Sequence, residues 1–294
     1  MKKLITIIIS LSVTILLLIT PGQIQRGVIA GLSLWYKGLI PALFPFMLLS
    51  NFIIQSGAGT EIAIFFRPIA RIMGLPDASA YCIFTGMLFG YPSCAINSVG
   101  MVHKQQLDIT SANLCVCCFN NVSPSFIIGF ICIGLYNNTK LIPIVLILFY
   151  ISILLSTIII KLLLFKKNIA SRTIFIAAST HNINPIHAAV NSIIMLGVYV
   201  IIFSIIREYL LLIPFSMYFL PYVEVCNGII DIKNCLPLII SAICFGGICG
   251  MFQTFSVDNN RILDRKKYIC SKVIAGLTGF LITYIAVYVF KILN

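Results

Sequence analysis

The residues of this sequence whose types could do chemistry lie in two polar breaks within apolar runs. The first break is Gly90-Tyr91-Pro92-Ser93. The second break is Asn120-Asn121-Val122-Ser123-Pro124-Ser125. Side-chain amides, hydroxyls and free backbone N–H groups at helix starts are donors that bind anionic groups in proteins. The two breaks therefore predict a binding site for a small anionic solute.

Catalysis is not indicated by the same residues. An intramembrane enzyme needs a nucleophile with a base, or metal ligands, at membrane depth. The three histidines, His103, His181 and His187, lie in basic connections, and the chain has no His-Glu-x-x-His motif. Cys115 and Cys118 have a Cys-x-x-Cys spacing but no second pair, which argues against a zinc or redox site. We expect no enzyme activity, no metal and no cofactor.

The lengths of the flanking segments suggest how the breaks are held. The arm from Asp77 to Gly90 has 14 residues, about 21 Å of helix, which is short of the roughly 30 Å hydrocarbon core. This predicts a re-entrant hairpin that turns at Gly90–Pro92 and returns from Ser93, a residue type that caps helices. In the second break Ser123 is the expected cap, and Pro124 suits the first helical position. Two half-helices would then point their N-terminal ends at one region, unless both breaks are only proline kinks.

The composition places these elements in a membrane. Hydrophobic residues make up 60% of the 294 positions and charged residues only 10%, so lipid must be the solvent for much of the chain. We predict an all-α polytopic membrane protein with inverted structural repeats and broken or re-entrant helices. Its apolar runs, with uncertain edges, are Leu4–Thr20, Gly27–Ile54, Asp77–His103, Ile109–Tyr136, Leu141–Phe165, Pro185–Ile213, Leu236–Val257 and Ile269–Ile292.

The net charge of +12 comes from basic residues beside the apolar runs, where they set topology and contact anionic lipid. We expect membrane lipid as a partner and no nucleic acid, and the oligomeric state stays open. The first run follows Lys2 and Lys3 without a cleavage site, which predicts an uncleaved span whose N-terminus is cytoplasmic. Most cysteines lie in apolar runs, where they act as small hydrophobes. Whether Cys226 and Cys235 pair is left open.

An internal repeat aligns when Phe89 is placed over Phe245. Gly90 then matches Gly246, next to Gly247, and Asn97 matches Gln253. Broken segments in corresponding halves are typical of secondary transporters, although chance similarity between apolar segments is a competing explanation. The predicted division is an N-terminal helix at 1–26, repeat 1 at 27–140, a connecting helix and basic loop at 141–184, and repeat 2 at 185–294. A strict second hairpin would place the basic loop 259–272 on the outer side, against the charge rule, so its orientation stays open.

An ordered set of motifs resembles a known family over nearly the whole chain. These motifs are Trp35 with Leu39-Ile-Pro-Ala-Leu-Phe-Pro-Phe, Gly90-Tyr-Pro-Ser, Asn120-Asn-Val-Ser-Pro, Glu224 with Asn227-Gly228, and Phe245-Gly-Gly with Gln253. The set resembles the sporulation integral membrane protein YlbJ family, which belongs with the nucleoside-recognition Gate domain proteins and is similar to concentrative nucleoside transporters.

The resemblance implies a role in endospore formation. The protein would move dipicolinic acid, an aromatic dianion, from the mother cell across the outer forespore membrane. A nucleoside carrier and a non-transporting component of a sporulation complex are the alternatives. The expected binding residues are Gly90, Tyr91, Pro92, Ser93, Asn97, Asn120, Asn121, Ser123, Pro124, Ser125, Glu224, Asn227, Gly246, Gly247 and Gln253. No Arg or Lys lies inside the first two breaks, which leaves room for a coupling cation or proton. Glu224 is the candidate carboxylate for it, and the alternative is that Glu224 is a solvated acid at a helix end.

Overall fold

The computed structural model describes residues 2–165, 184–258 and 260–289, and within them the chain is α-helical without strands. The α-helices are α1 (Lys2–Ile19), α2 (Pro21–Leu34), α3 (Ile40–Gln55), α4 (Ala58–Ile62), α5 (Arg67–Ile72), α6 (Ser79–Phe89), α7 (Ser93–His103), α8 (Ile109–Phe119), α9 (Leu141–Leu164), α10 (Pro185–Leu210), α11 (Leu220–Val223), α12 (Val225–Asp231), α13 (Leu236–Phe245), α14 (Gly247–Ser256) and α15 (Arg265–Tyr284). Three π-helical stretches, Trp35–Leu39, Phe126–Leu135 and Ile285–Val289, and two 3₁₀ turns, Ala63–Phe66 and Ser216–Tyr218, join or extend them.

Five helical segments are long and apolar enough to cross a membrane: Pro21–Gln55, Leu141–Leu164, Pro185–Leu210, Leu236–Ser256 and Arg265–Tyr288. Together with the helical content, they confirm the prediction of an all-α polytopic membrane protein. Lys166, Lys167, Arg172 and His181, which belong to the predicted basic loop, lie outside the described residues.

The longest segment, Pro21–Gln55, packs along α10. A Cβ on Gly27 or Gly31 would lie 2.6 or 2.8 Å from the Cα of Ile205 or Ile201, so only glycine allows this close approach. The Trp35 indole fits against Gly197 and donates a hydrogen bond from its Nε1 to the Ile193 carbonyl at 2.9 Å. The π-helical stretch that contains Trp35 ends just before Pro41, which has no backbone N–H to continue the regular hydrogen-bond ladder.

Helices α6 and α7 form the predicted antiparallel hairpin. They pack against each other, and the Cys82 thiol near the start of α6 lies 3.5 Å from the Met101 sulfur near the end of α7. The chain enters α6 through Asp77, whose carboxylate accepts hydrogen bonds from the Arg71 guanidinium at 3.0 and 2.8 Å. These hydrogen bonds hold the pKa of Asp77 below its usual value. The pair therefore ties α5 to the start of the hairpin.

Helices α13 and α14 do not form a packed hairpin like that of α6 and α7, which favours the full crossing of the two alternatives that the sequence left open. Gly246 and Gly247 have φ angles of 82° and 69°, which interrupt the helix as predicted. The two halves nevertheless make one apolar segment, Leu236–Ser256, of 21 residues, which matches a full crossing. Helix α13 packs on α15, whereas α14 packs on α10 and α11. A full crossing removes the conflict between the repeat and the basic residues at Arg261 and 265–267.

The first residues of α8 and α15 also correspond in the internal repeat, outside the motifs aligned above. The register that places Phe89 over Phe245 also places Asp108 over Asp264. Asp108 caps α8 by accepting from the Ser111 N–H at 2.9 Å, and Asp264 caps α15 by accepting from the Lys267 N–H at 3.1 Å. Corresponding helices thus begin with the same cap at the same register. The inverted symmetry of the repeats and the predicted domain boundaries stay predictions.

Candidate functional site

The turn of the hairpin and the second polar break are in direct contact. We call Gly90–Pro92 the hairpin turn, and Asn120–Ser123, which separates α8 from the helix that begins at Pro124, the asparagine break. The Tyr91 N–H donates to the Asn121 carbonyl at 2.7 Å. Gly90 has a φ of 75°, and a Cβ there would lie 2.7 Å from the Ser123 nitrogen. The contact depends on glycine because any side chain would push the two segments apart.

The two predicted helix caps have different outcomes. Ser123 does cap the outgoing half-helix, since its hydroxyl accepts from the Phe126 N–H at 3.3 Å, and Pro124 is the first helical residue. Ser93 is not a cap: it is the first residue of α7, and Pro92 occupies the cap position without a side-chain hydrogen bond. The error is one residue, since the Pro92 carbonyl accepts the first hydrogen bond of α7, from the Ile96 N–H at 3.0 Å.

Two cavities adjoin the hairpin turn, and Tyr91 lines both. The first, of about 270 Å³, is largely apolar, with the hydroxyls of Ser123 and Ser125 2.7 Å apart on its wall. The second, of about 370 Å³, is more polar, and its lining residues with polar side chains are Ser50, Asn51, Gln55, Tyr81, Tyr91, Ser93, Asn97, Lys104, Gln106 and Ser192. Cavities of this size hold small organic molecules.

The predicted binding residues divide into two groups. Those that line the cavities are Tyr91, Pro92, Ser93, Asn97, Ser123, Pro124 and Ser125. Asn120 and Asn121 line neither of these cavities, because their side chains are buried on the opposite side of the asparagine break. Gln253 is also buried, and its amide nitrogen lies 3.5 Å from the Cys249 sulfur one turn earlier.

Five buried polar residues form what we call the lysine cluster, on the side of the asparagine break that faces away from the cavities. They are Asn120, Asn121, Thr254, Tyr268 and Lys272. The Lys272 Nζ donates to the Asn120 carbonyl at 2.5 Å and to the Asn121 Oδ1 at 2.8 Å. The Asn120 amide donates to the Thr254 hydroxyl at 2.8 Å and to the Tyr268 hydroxyl at 3.1 Å. The cluster thus joins the asparagine break to α14 and α15.

Sequence reasoning missed Lys272. It found no basic residue inside the first two breaks, which is true of those segments, but α15 brings a lysine to one of them. Lys272 follows the basic run of residues 265–267, so it was taken as part of that run. The available signal was its spacing from Tyr268: the two residues are four apart and share a helix face.

Gly246, at the junction of α13 and α14, and Gly250, within α14, make room for the hairpin turn. Cβ atoms on Gly246 and Gly250 would lie 3.7 and 3.0 Å from the Tyr91 ring, and one on Gly247 would lie 3.0 Å from Val225. Gly246 and Gly247 therefore act through backbone conformation and space and offer no side chain to a ligand. Tyr91 therefore connects the hairpin turn to the broken segment formed by α13 and α14.

Glu224 and Asn227 form a helix cap and line neither of the two cavities described above, although Cys226 between them lines the first. The Glu224 carboxylate is 3% exposed and accepts the Cys226 and Asn227 N–H groups, each at 2.7 Å. The Asn227 amide donates to the Ser204 hydroxyl at 2.6 Å. This geometry favours a capping role for Glu224 over the predicted role in coupling. The neighbouring Cys226 is a free thiol, as is Cys235.

Glu224→Gln separates the two roles. We expect the free energy of unfolding to fall by about 1–2 kcal/mol, because a Gln amide nitrogen cannot accept the second backbone N–H. The dependence of solute uptake on an imposed proton gradient should stay unchanged. Denaturant unfolding and uptake in proteoliposomes measure the two effects, with the exposed Glu61→Gln as the control. Loss of proton dependence with normal stability would identify Glu224 as the coupling carboxylate.

The fold and the site define an all-α polytopic membrane protein in which broken helices meet beside a buried lysine. Over 115 residues the chain is 30% identical to the sporulation integral membrane protein YlbJ of Bacillus subtilis (strain 168). The matched region is 38% of this chain and 28% of that relative, so it spans little more than a quarter of the relative's length. No family profile matches the chain. No solved structure matches it either.

This similarity supports the resemblance to YlbJ over part of the chain. It does not address the likeness to Gate domain proteins or to nucleoside transporters, which stays a prediction.

Proposed function

We propose that this chain is a transporter of sporulation that moves dipicolinic acid from the mother cell across the outer forespore membrane. The observation that carries the proposal is the contact of the hairpin turn with the asparagine break beside two cavities. Irregular backbone inside a membrane protein persists where protein covers it or where it lines a water-filled path. One side of the contact packs on the lysine cluster and the other borders the cavities, an arrangement that supports such a path.

The chemistry of the contact suits a dianion. A charge that leaves water needs fixed donors, because an uncompensated buried charge is prohibitively costly. The described residues offer the start of α7, the start of the half-helix at Pro124, and the serine hydroxyls on the cavity walls. The membrane role in sporulation of the similar YlbJ protein points to a solute that spores accumulate.

Uptake by purified protein tests the proposal directly. Proteoliposomes that contain the full chain should take up dipicolinate well above the leak of empty liposomes, and they should not take up nucleosides at a comparable rate. In a spore former that carries this protein, deletion should leave dipicolinate in the mother cell and deplete the spore. Nucleoside uptake instead would indicate a nucleoside carrier. Absence of all uptake, with normal dipicolinate in deletion spores, would indicate a structural component.

A further inference from the structure

Lys272 is a buried cation without an anionic partner among the described residues. Its side chain is 1% exposed, two helical turns into the apolar segment Arg265–Tyr288. None of the ion pairs within the described ranges includes it. Its Nζ contacts two neutral oxygens, the Asn120 carbonyl and the Asn121 Oδ1, and lies 5.1 Å from the centre of the Tyr268 ring.

These contacts hold the ammonium group without neutralising it. An ammonium has three N–H donors, and the two oxygens accept two of them. Carbonyl oxygens and a ring face reduce the cost of burying the charge, but the site keeps a net positive charge. The Asn120 Oδ1 is also buried, with no hydrogen-bond partner among the described residues. The lysine cluster is therefore polar, positively charged and incompletely satisfied.

The buried carboxylates of the described residues are engaged elsewhere. Glu224 accepts two backbone N–H groups at the start of α12. Asp258, 4% exposed, accepts the Ile262 and Leu263 N–H groups, each at 2.9 Å. Both acids serve as backbone caps, so neither balances the charge of Lys272.

The lysine cluster and the cavities are separated by one residue, Asn121. Its side-chain oxygen accepts from Lys272, and its backbone carbonyl accepts from Tyr91, which lines both cavities. A shift of the asparagine break away from α15 would break the contacts of Lys272 with both neutral oxygens. It would also expose the ammonium group on the side of the hairpin turn.

We propose that Lys272 is the fixed cation that binds a carboxylate group of the transported solute. In the conformation described here, the Asn120 carbonyl and the Asn121 amide occupy the place of that carboxylate and close the site. The solute enters from the cavities and exchanges these neutral oxygens for its own charged one. This inference rests on the proposed function, because it names the residue that recognises the charge of the solute in the same transport site.

The test measures how strongly the protein prefers a charged ligand over a neutral one of the same shape. Purified full-length protein in nanodiscs is titrated with dipicolinate and with pyridine-2,6-dicarboxamide, which has the same ring but no charge. We expect dipicolinate to bind about 100-fold more tightly than the diamide, since a desolvated charge pair contributes that much. Lys272→Met should remove this preference.

Two further variants make the result specific. Lys161→Met is the matched control: Lys161 also lies in an apolar helix and donates to a backbone carbonyl, that of Ile72 at 3.3 Å, but it is partly exposed near a helix end. It should keep the full preference. Asn121→Asp retains Lys272 and supplies an internal carboxylate at the position of the side-chain oxygen that lies 2.8 Å from the Lys272 Nζ. It should lower the preference about 10-fold or more, because the lysine is then already paired.

The outcomes distinguish this inference from the proposed function. Wild-type protein that neither binds nor transports dipicolinate overturns both. Wild-type protein that prefers dipicolinate, with the preference intact in folded Lys272→Met, overturns the role of Lys272 alone. If Lys272→Met does not fold, Asn121→Asp decides: an undiminished preference there overturns the inference, and a reduced one supports it.

Discussion

Replacement of Gly90 by alanine is expected to abolish dipicolinate uptake and to destabilise the protein by more than about 3 kcal/mol. Gly90 has a φ of 75° and a ψ of −172°, a combination that is nearly restricted to glycine. The added Cβ would lie 2.7 Å from the Ser123 nitrogen and 3.1 Å from the Asn121 carbonyl. Both atoms belong to backbone, so neither can move aside without separating the hairpin turn from the asparagine break.

Gly57→Ala is the matched control for backbone strain. Gly57 has a φ of 80°, but a Cβ there would have no atom within 4 Å. It should cost about 1–2 kcal/mol through the left-handed conformation alone and leave uptake intact. Thermal unfolding and proteoliposome uptake of both variants measure the difference. Equal destabilisation, or normal uptake by Gly90→Ala, would show that contact between the two breaks is not required for transport.

The sequence predicted the breaks well because glycine, proline and asparagine interrupt apolar runs by local chemistry. Gly90 and Asn120 were located from this signal, and the Ser123 cap was too, since a cap depends only on residues within one turn. The hairpin of α6 and α7 followed from the length of its arms. These features need no knowledge of distant parts of the chain.

The rest depends on packing between distant segments. Lys272 contacts Asn120 across 152 residues, and no local pattern predicts which break a helix will face. The sequence left open whether the break at Gly246 and Gly247 is a hairpin or a full crossing, because that depends on which helices α13 and α14 pack against. Glu224 was named through the family resemblance and as the candidate coupling carboxylate, while its backbone partners at Cys226 and Asn227 became visible only in the fold.

Asn121→Leu is expected to weaken dipicolinate binding by about 1–3 kcal/mol, or roughly 5- to 150-fold. The sequence alone gave the reason as loss of a donor to the solute. The structure gives a different reason. The Asn121 amide nitrogen donates to the Cys118 carbonyl at 2.8 Å, and its oxygen accepts from Lys272 at 2.8 Å. Leucine removes both bonds and places an apolar side chain against a buried ammonium.

The same substitution leaves the contact with the hairpin turn in place, since Tyr91 bonds to the backbone carbonyl of Asn121. The hairpin contact should therefore form. The substitution removes an oxygen that competes for Lys272, but the leucine side chain then fills the place beside the ammonium group that the solute carboxylate would take, so binding is weaker. Asn191→Leu, at an exposed position of α10, is the control and should leave affinity unchanged. Concentration-dependent uptake measures both. Normal affinity in Asn121→Leu, or an equal loss in Asn191→Leu, would place the binding site elsewhere.

A double variant tests whether the loss passes through the lysine. If Asn121→Leu acts by keeping the solute carboxylate away from Lys272, it should add little to the effect of Lys272→Met, because residues that share one interaction are not additive. If Asn121 contacts the solute independently, the two losses should add in free energy. The affinities of the two single variants and the double variant for dipicolinate, each from folded protein, decide between these cases.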